Sequence, residues 1–171
     1  MKIISKSIKK SRLIFIFLSI IFMIIIFIFS SENGSDSQNT SGIITEFVAK
    51  SMVDDFKKLS ESDKNDILDT ISYLVRKTAH YSIYTSLGFC ISCAFGRRKA
   101  LSRKSLYSLL ICFAYACSDE FHQYFVPERS CQLTDVLIDT SGALTGIVIS
   151  LAVMFAFFRI KEKSKRLNLN N

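Results

Sequence analysis

The chain has 171 residues, of which 49% are hydrophobic and only one is proline, and its formal net charge is +7. This length and a mean hydropathy of +0.29 indicate one compact unit over 1–171 rather than several domains. The positive charge lies beside apolar runs, where it serves as a membrane topology signal. We therefore expect no nucleic-acid partner.

The first apolar run follows a basic N-terminus and predicts a membrane helix over 13–30. Leu13–Phe29 contains no charge, and its helix rises about 26 Å, close to the hydrocarbon thickness of a bilayer. A cleaved secretory signal peptide is the alternative. We favour a retained anchor because the run exceeds the usual apolar region of a signal peptide, about 7–15 residues, and no Ala-x-Ala-like site follows.

An extracytoplasmic segment, 31–75, follows this helix. Its start, Ser30–Gly42, is rich in Ser, Asn, Gly and Asp, which predicts a flexible linker. An amphipathic helix is predicted from Ile43, either on the outer membrane surface or against the bundle. Its apolar positions are Ile44, Phe47, Val48, Met52, Phe56 and Leu59. Ser60, with Asp63 three residues on, predicts the start of another helix that runs into the second span.

Three further apolar segments, at about 78–95, 105–125 and 136–158, complete an all-α bundle of four transmembrane helices. Three segments that fall on the same side of a four-span bundle hold 15 of the 22 basic residues. The segments are the N-terminus, the loop 96–104 and the tail 159–171. Since basic residues mark the cytoplasmic side, we expect a multi-pass protein of the cell membrane with both termini in the cytoplasm.

The five cysteines predict neither a disulfide framework nor a zinc site. Cys90, Cys93, Cys112 and Cys117 lie within the predicted spans, and Cys131 falls in the outer loop. The Cys90-x-x-Cys93 spacing lacks a second ligand pair, so we interpret these residues as small packing side chains.

Ionisable side chains gather where the second, third and fourth spans reach the outer boundary. The predicted cluster comprises Arg76, Lys77, His80, Asp119, Glu120, His122, Gln123, Arg129, Asp135 and Asp139. An acidic group costs about 2.5–3.5 kcal/mol at mid-bilayer and less near the interface. Such groups persist when they face a protein interior or a wet cavity, so the cluster is the predicted functional site. Gly142 and Gly146 on the fourth helix predict a close approach by a neighbouring helix.

Several chemistries fit these residues. Glu120 or His122 are candidate catalytic bases for general acid–base work. Arg76, Lys77 and Arg129 are suited to binding a phosphate or carboxylate. A divalent metal is a further alternative, but Glu120-x-His122 is a weak ligand spacing and no His-Glu-x-x-His is present. We expect no metal and no cofactor. A network of ion pairs that only fixes helix order is the structural alternative.

At these residues the chain resembles the VanZ-like family of bacterial membrane proteins, named for a protein of teicoplanin resistance. The resemblance covers roughly 13–158 and is strongest over 76–146. Its motifs are Arg76-Lys77-x-x-His80-Tyr81-x-x-Tyr84-x-x-Leu87-Gly88, Asp119-Glu120-x-His122-Gln123-x-Phe125-Val126-Pro127-x-Arg129-Ser130, Asp135-Val136 and Gly142-x-x-x-Gly146. Two positions depart from the family: Glu128 stands where glycine is usual, and Asp139 where asparagine is common.

The resemblance implies a multi-pass envelope protein linked to reduced teicoplanin sensitivity, without a settled reaction. We expect the cluster to bind a membrane lipid or a lipid-linked cell-wall component, with Glu120, His122, Gln123 and Arg129 as the first-choice site residues. An intramembrane hydrolase or transferase acting on an envelope lipid is the first alternative. A structural or partner-binding membrane subunit is the second.

Overall fold

The computed structural model describes residues 2–53, 56–96 and 102–167. Throughout these ranges the chain folds into α-helices joined by short connections, without a β-strand, so the all-α prediction is confirmed. The helices are α1 Lys2–Ser30, α2 Gly34–Met52, α3 Glu61–Phe95, α4 Arg103–Gln123 and α5 Leu133–Leu167, with a 3₁₀ helix, Phe56–Lys58, between α2 and α3. The basic loop residues Arg97, Arg98 and Lys99 lie outside the described residues.

Side-chain caps fix the starts of α3 and α4. The Ser60 hydroxyl accepts the backbone N–H of Asp63 at 3.2 Å and donates to the Asp63 carboxylate at 2.7 Å. Ser102 accepts the N–H of Ser105 at 3.3 Å. Each bond satisfies one backbone donor that a helix start leaves unpaired. The predicted helix start at Ser60 is confirmed.

Most of the segment predicted as a flexible linker is helical. The Asn33 side chain accepts the backbone N–H of Asp36 at 2.7 Å and caps α2. The hydroxyls of Ser41 and Thr45 donate to carbonyls four residues earlier, at 2.9 and 3.0 Å. Because these hydroxyls are satisfied within the helix, they pack against α3, where the Ser41 and Ser72 oxygens are 3.4 Å apart. The linker prediction is therefore wrong from Gly34 onward.

The apolar side of α2 faces away from the bundle. Ile43 is 83% exposed, Phe47 72% and Met52 75%. The helix ends at Met52, so the single amphipathic helix predicted to reach Leu59 is interrupted, and Phe56 is buried within the 3₁₀ helix. Of the two predicted placements for this helix, packing against the bundle is confirmed, because α2 packs on α3 through its other side.

The long helix α3 lies at the centre and contacts all four other α-helices. Its closest neighbour is α5, which runs in the same direction, since Lys77 faces Asp135 and Ser92 faces Ser150 at the same offset along the two chains. A Cβ on Gly142 or Gly146 would overlap α3 backbone. These glycines therefore permit the close helix approach predicted from their spacing.

The bundle exposes many large apolar side chains, particularly along α1 and α5. Within the described part of the chain, the segments Lys10–Ser30 and Leu133–Lys161 are long and apolar enough to cross a membrane. The other two predicted spans, in α3 and α4, contain more polar side chains, many of which face neighbouring helices. Helix α1 belongs to the same core, where Ile26 is buried against the cluster around Tyr84 and Leu87.

Candidate functional site

A polar cavity of about 140 Å³ lies at the end of the bundle where α4 ends and α5 begins. Side chains of α3, α5 and the connection 124–132 form most of its wall. Its lining residues are Tyr73, Arg76, Lys77, His80, Gln123, Glu128, Arg129, Ser130, Gln132, Asp135, Ile138 and Asp139. Seven of the ten residues predicted as one cluster therefore share this cavity. The remaining three are Asp119, Glu120 and His122.

Two close polar pairs connect α3 to α5 on the wall of the cavity. Lys77 forms an ion pair with Asp135. One turn further along both helices, His80 Nδ1 lies 3.6 Å from Asp139 Oδ2. Residues three or four positions apart lie on the same helix face. Two parallel helices in close contact can therefore form such a pair at each successive turn.

Arg129 joins the 124–132 connection to the end of α1. Its Nε donates to the Glu32 carbonyl at 3.2 Å, and Nη2 lies 3.5 Å from the Phe29 carbonyl. Burial, followed by the nearby Arg76, lowers the pKa of Arg129 below its ordinary value. A guanidinium nevertheless stays charged in proteins, so two like charges face each other at the cavity.

Arg76 lines the same cavity but has a different environment. Among the described residues, its guanidinium forms no hydrogen bond and no ion pair. Since buried or half-buried guanidinium groups ordinarily pair with carboxylate or phosphate, Arg76 is available to a ligand.

Asp119 lies below the cavity, in the contact between α1 and α4. Its Oδ2 accepts the Ser30 hydroxyl at 2.9 Å and lies 3.4 Å from Gln123 Nε2, which also donates to Ser30 at 3.1 Å. All three side chains are buried. These hydrogen bonds therefore hold the Oδ2 atom of Asp119, whereas its Oδ1 atom takes no part in them.

Glu120 and His122 lie outside the wall of the cavity. Glu120 is buried, and its Oε1 accepts the backbone N–H of Gln132 at 2.5 Å, just before α5 begins. The His122 ring stacks on Phe27 with ring centroids 4.7 Å apart, and its Nε2 is 3.1 Å from the Ser31 hydroxyl. Glu120 thus holds the connection to α5, and His122 packs on α1.

Asp119, His80 and Asp139 meet at the floor of the site. One ligand-type atom from each lies within 4.8 Å of the others. The Oδ1 atoms of both aspartates are buried and have no hydrogen-bond partner among the described residues. Because the three residues come from three different helices, no short sequence motif identifies this group.

An apolar cavity of about 240 Å³ adjoins the polar one, between α1, α2 and α3. Its apolar wall includes Ile26, Phe29, Ile44, Val75 and Ile83. Arg76, His80 and Arg129 line both cavities. The two spaces therefore meet at three polar side chains.

The connection 124–132 contains the one position of the described chain where a residue other than glycine has a positive φ. Glu128 has φ 62°, a left-handed conformation that favours glycine. Its backbone also lies close to α2, since a Cβ on Gly34 would be 3.0 Å from the Glu128 carbonyl oxygen. This geometry gives a physical reason for glycine at this position in the family.

Sequence reasoning did not identify four residues of the site: Ser30, Tyr73, Gln132 and Ile138. Ser30 ends an apolar helix and carries no functional signal of its own. Tyr73 is three residues before Arg76 and Ile138 three residues after Asp135, so helical periodicity is a signal that finds both. Gln132 comes from an irregular connection, whose course the sequence does not indicate.

An all-helical bundle that exposes large apolar side chains and buries charges at one end is typical of an integral membrane protein. A family model described as VanZ/LLP1 matches residues 15–158, and the chain therefore belongs to the VanZ-like family of membrane proteins. No curated protein and no solved structure gives a significant match to the chain.

Proposed function

We propose that this chain is a bacterial envelope protein that binds an anionic amphiphile, either a membrane lipid or a lipid-linked cell-wall component. The observation that carries the proposal is the junction of the two cavities at Arg76, His80 and Arg129. A lipid phosphate fits the polar cavity, and its hydrocarbon chain fits the adjoining apolar one. A ligand with only one of these parts leaves one cavity unused.

The polar cavity is lined by three cationic and three acidic side chains, and it is its two guanidinium groups that favour an anion. Lys77 is paired with Asp135, so this ion pair contributes little net charge to the site. Arg76 has no partner in the described chain, and Arg129 donates only to backbone carbonyls. A phosphate between the two guanidinium groups relieves their mutual repulsion and accepts charge-assisted hydrogen bonds from both.

The proposal includes four membrane spans with both termini in the cytoplasm. The described basic residues at the start of α1, the start of α4 and the end of α5 lie at the end of the bundle opposite the cavities. They include Lys10, Arg12, Arg103, Lys104, Arg159, Lys161 and Lys163. The positive-inside rule then places the cavities at the outer leaflet. The exposed apolar side of α2 contacts lipid at the same surface.

Lipid binding by the purified protein tests the proposal. Binding of phosphatidylglycerol and of a polyprenyl phosphate is measured in detergent, with phosphatidylcholine as the neutral comparison. Arg76→Gln should weaken binding of the anionic lipids by roughly 10–100-fold, because a hydrogen bond to a charged group contributes about 1.5–3 kcal/mol. Arg103→Gln removes one positive charge at the opposite end of the bundle and serves as the matched control. Equal binding by both variants and wild type contradicts the proposed site.

Reduced teicoplanin sensitivity is the proposed cellular consequence. Expression in a susceptible Gram-positive host should lower sensitivity, and Arg76→Gln should remove the effect at equal membrane abundance. If the wild-type chain binds anionic lipid but does not protect the host, the lipid-binding proposal stands and the role in resistance is excluded.

An intramembrane hydrolase or transferase is a second candidate, favoured by one observation. The 3.6 Å His80–Asp139 pair lines the polar cavity, where a histidine oriented by a carboxylate is suited to act as a general base. Glu120 and His122 face other partners and are less suited to this role. Release of a cleaved headgroup by wild type but not by His80→Gln supports the enzyme. Unchanged lipid after prolonged incubation counts against it.

A further inference from the structure

We propose that His80, Asp119 and Asp139 bind a divalent transition-metal ion of the Zn²⁺ or Mn²⁺ class. The three residues come from α3, α4 and α5, and their ligand-type atoms lie within 4.8 Å of one another. At bond lengths of about 2.0–2.2 Å the ligand atoms of one ion lie about 3–4 Å apart, so the three side chains would close slightly around a single ion. The metal site shares His80 with the junction of the two cavities, but it includes neither of the two arginines proposed to bind lipid phosphate.

The unpaired oxygens of the two aspartates favour a cation as their partner. Asp119 is 4% exposed and Asp139 3%, and the Oδ1 atom of each has no hydrogen-bond partner in the described chain. Buried polar atoms nearly always have a hydrogen-bond partner. Burying two ionised carboxylates without a balancing charge costs much free energy. Since Lys77 is already paired with Asp135, a dication is a direct way to balance both carboxylates.

The ligand types select the class of ion. Calcium and magnesium are bound mainly by oxygen, whereas an imidazole nitrogen with two carboxylates suits zinc and other first-row metals. Ser30 and Gln123 hold the Oδ2 atom of Asp119 by hydrogen bonds. Such outer contacts orient a metal ligand.

The polar cavity supplies an entry path and open coordination positions. His80 and Asp139 line that cavity, while Asp119 lies at its floor. A bound ion would therefore face the space proposed for an anionic headgroup. Metal binding nevertheless depends only on the three ligands, so it stands or falls separately from lipid binding.

Metal analysis of the purified chain tests this inference. The protein is prepared in detergent without a histidine tag, stripped with a chelator and dialysed against buffered Zn²⁺ or Mn²⁺. We expect one ion per chain in wild type and at least a tenfold loss of affinity in His80→Gln, Asp119→Asn and Asp139→Asn. The matched control is Asp135→Asn, which lies on the same helix as Asp139 but outside the ligand set. It should bind the metal as wild type does.

Two results overturn the inference: a wild-type chain that binds neither ion, or ligand variants that bind as tightly as wild type. Should an aspartate variant fail to fold, His80→Gln decides, because His80 is the most exposed of the three. Arg76→Gln, which disrupts the lipid proposal, should retain the metal, so failures of the two proposals are distinguishable.

Discussion

The Glu120 carboxylate accepts the backbone N–H of Gln132 at 2.5 Å and thereby connects the end of α4 to the start of α5. The bond spans the whole 124–132 connection. Its acceptor is a buried side chain, and its donor is one that a helix start leaves without an intrahelical partner. Glu120 therefore stabilises the frame of the polar cavity rather than lining it.

Substitution of Glu120 separates a structural role from a catalytic one. Glu120→Gln retains an acceptor oxygen, so we expect a folded protein whose lipid affinity stays within about twofold of wild type. Glu120→Ala leaves the Gln132 N–H unpaired and should destabilise the protein by about 1–3 kcal/mol. Thermal unfolding in detergent and lipid binding measure the two effects. Headgroup release that stops in a fully folded Glu120→Gln variant would show a catalytic role instead.

The glycines of α5 should tolerate no side chain. A Cβ on Gly146 overlaps the Thr85 carbonyl, and one on Gly142 overlaps that of Tyr81. Because backbone cannot yield as a flexible side chain does, each Gly→Ala change should cost about 1–3 kcal/mol through overpacking. Loss of monodisperse protein on size exclusion after graded heating reports this cost.

Gly42 supplies the matched control for the glycine variants. A Cβ on this residue of α2 meets nothing within 4 Å. Gly42→Ala should therefore stabilise the helix slightly, since alanine is favoured over glycine by up to about 1 kcal/mol. Equal destabilisation by Gly42→Ala and Gly146→Ala would contradict the close approach of α3 and α5.

Glu128 combines an unfavourable backbone conformation with a negative charge at the cavity. Glu128→Gly should stabilise the protein by about 0.5–1 kcal/mol, because the left-handed penalty of about 1–2 kcal/mol exceeds the entropic cost of glycine. Both Glu128→Gly and Glu128→Gln should raise anionic lipid affinity by roughly two- to fivefold, since each removes the charge. Only the glycine variant should gain thermal stability. A gain by both variants would trace the effect to charge instead of backbone.

The sequence predicted the helical class, the Ser60 cap and the helix approach at Gly142 and Gly146 because each depends on local pattern. It did not predict α2 correctly. The low hydropathy of Ser30–Gly42 favoured a linker, whereas the hydroxyls of Ser41 and Thr45 bond within the helix and pack against α3. Tertiary packing thus outweighed local composition, and the composition of one sequence does not reveal such packing.

The candidate site was predicted as a set of residues, but not as an arrangement. The sequence analysis predicted Asp119 and His122 as members of one cluster. In the structure they face different neighbours: His122 stacks on Phe27 of α1, while Asp119 lies within 4.8 Å of His80 and Asp139. Periodicity gives the angle between side chains on one helix. It does not say which helix packs at each angle, so roles within the cluster required the fold.

Cys131 allows the proposed topology to be tested with few changes to the chain. It is exposed in the 124–132 connection, whereas Cys90 and Cys112 are buried and Cys93 and Cys117 are partly buried within α3 and α4. A membrane-impermeant maleimide added to intact cells should therefore label wild type and not Cys131→Ser. Ser164→Cys, placed on the exposed end of α5 in the Cys131→Ser background, should react only after the membrane is opened. Labelling of Ser164→Cys but not of Cys131 in intact cells would invert the topology and move both cavities to the cytoplasmic leaflet.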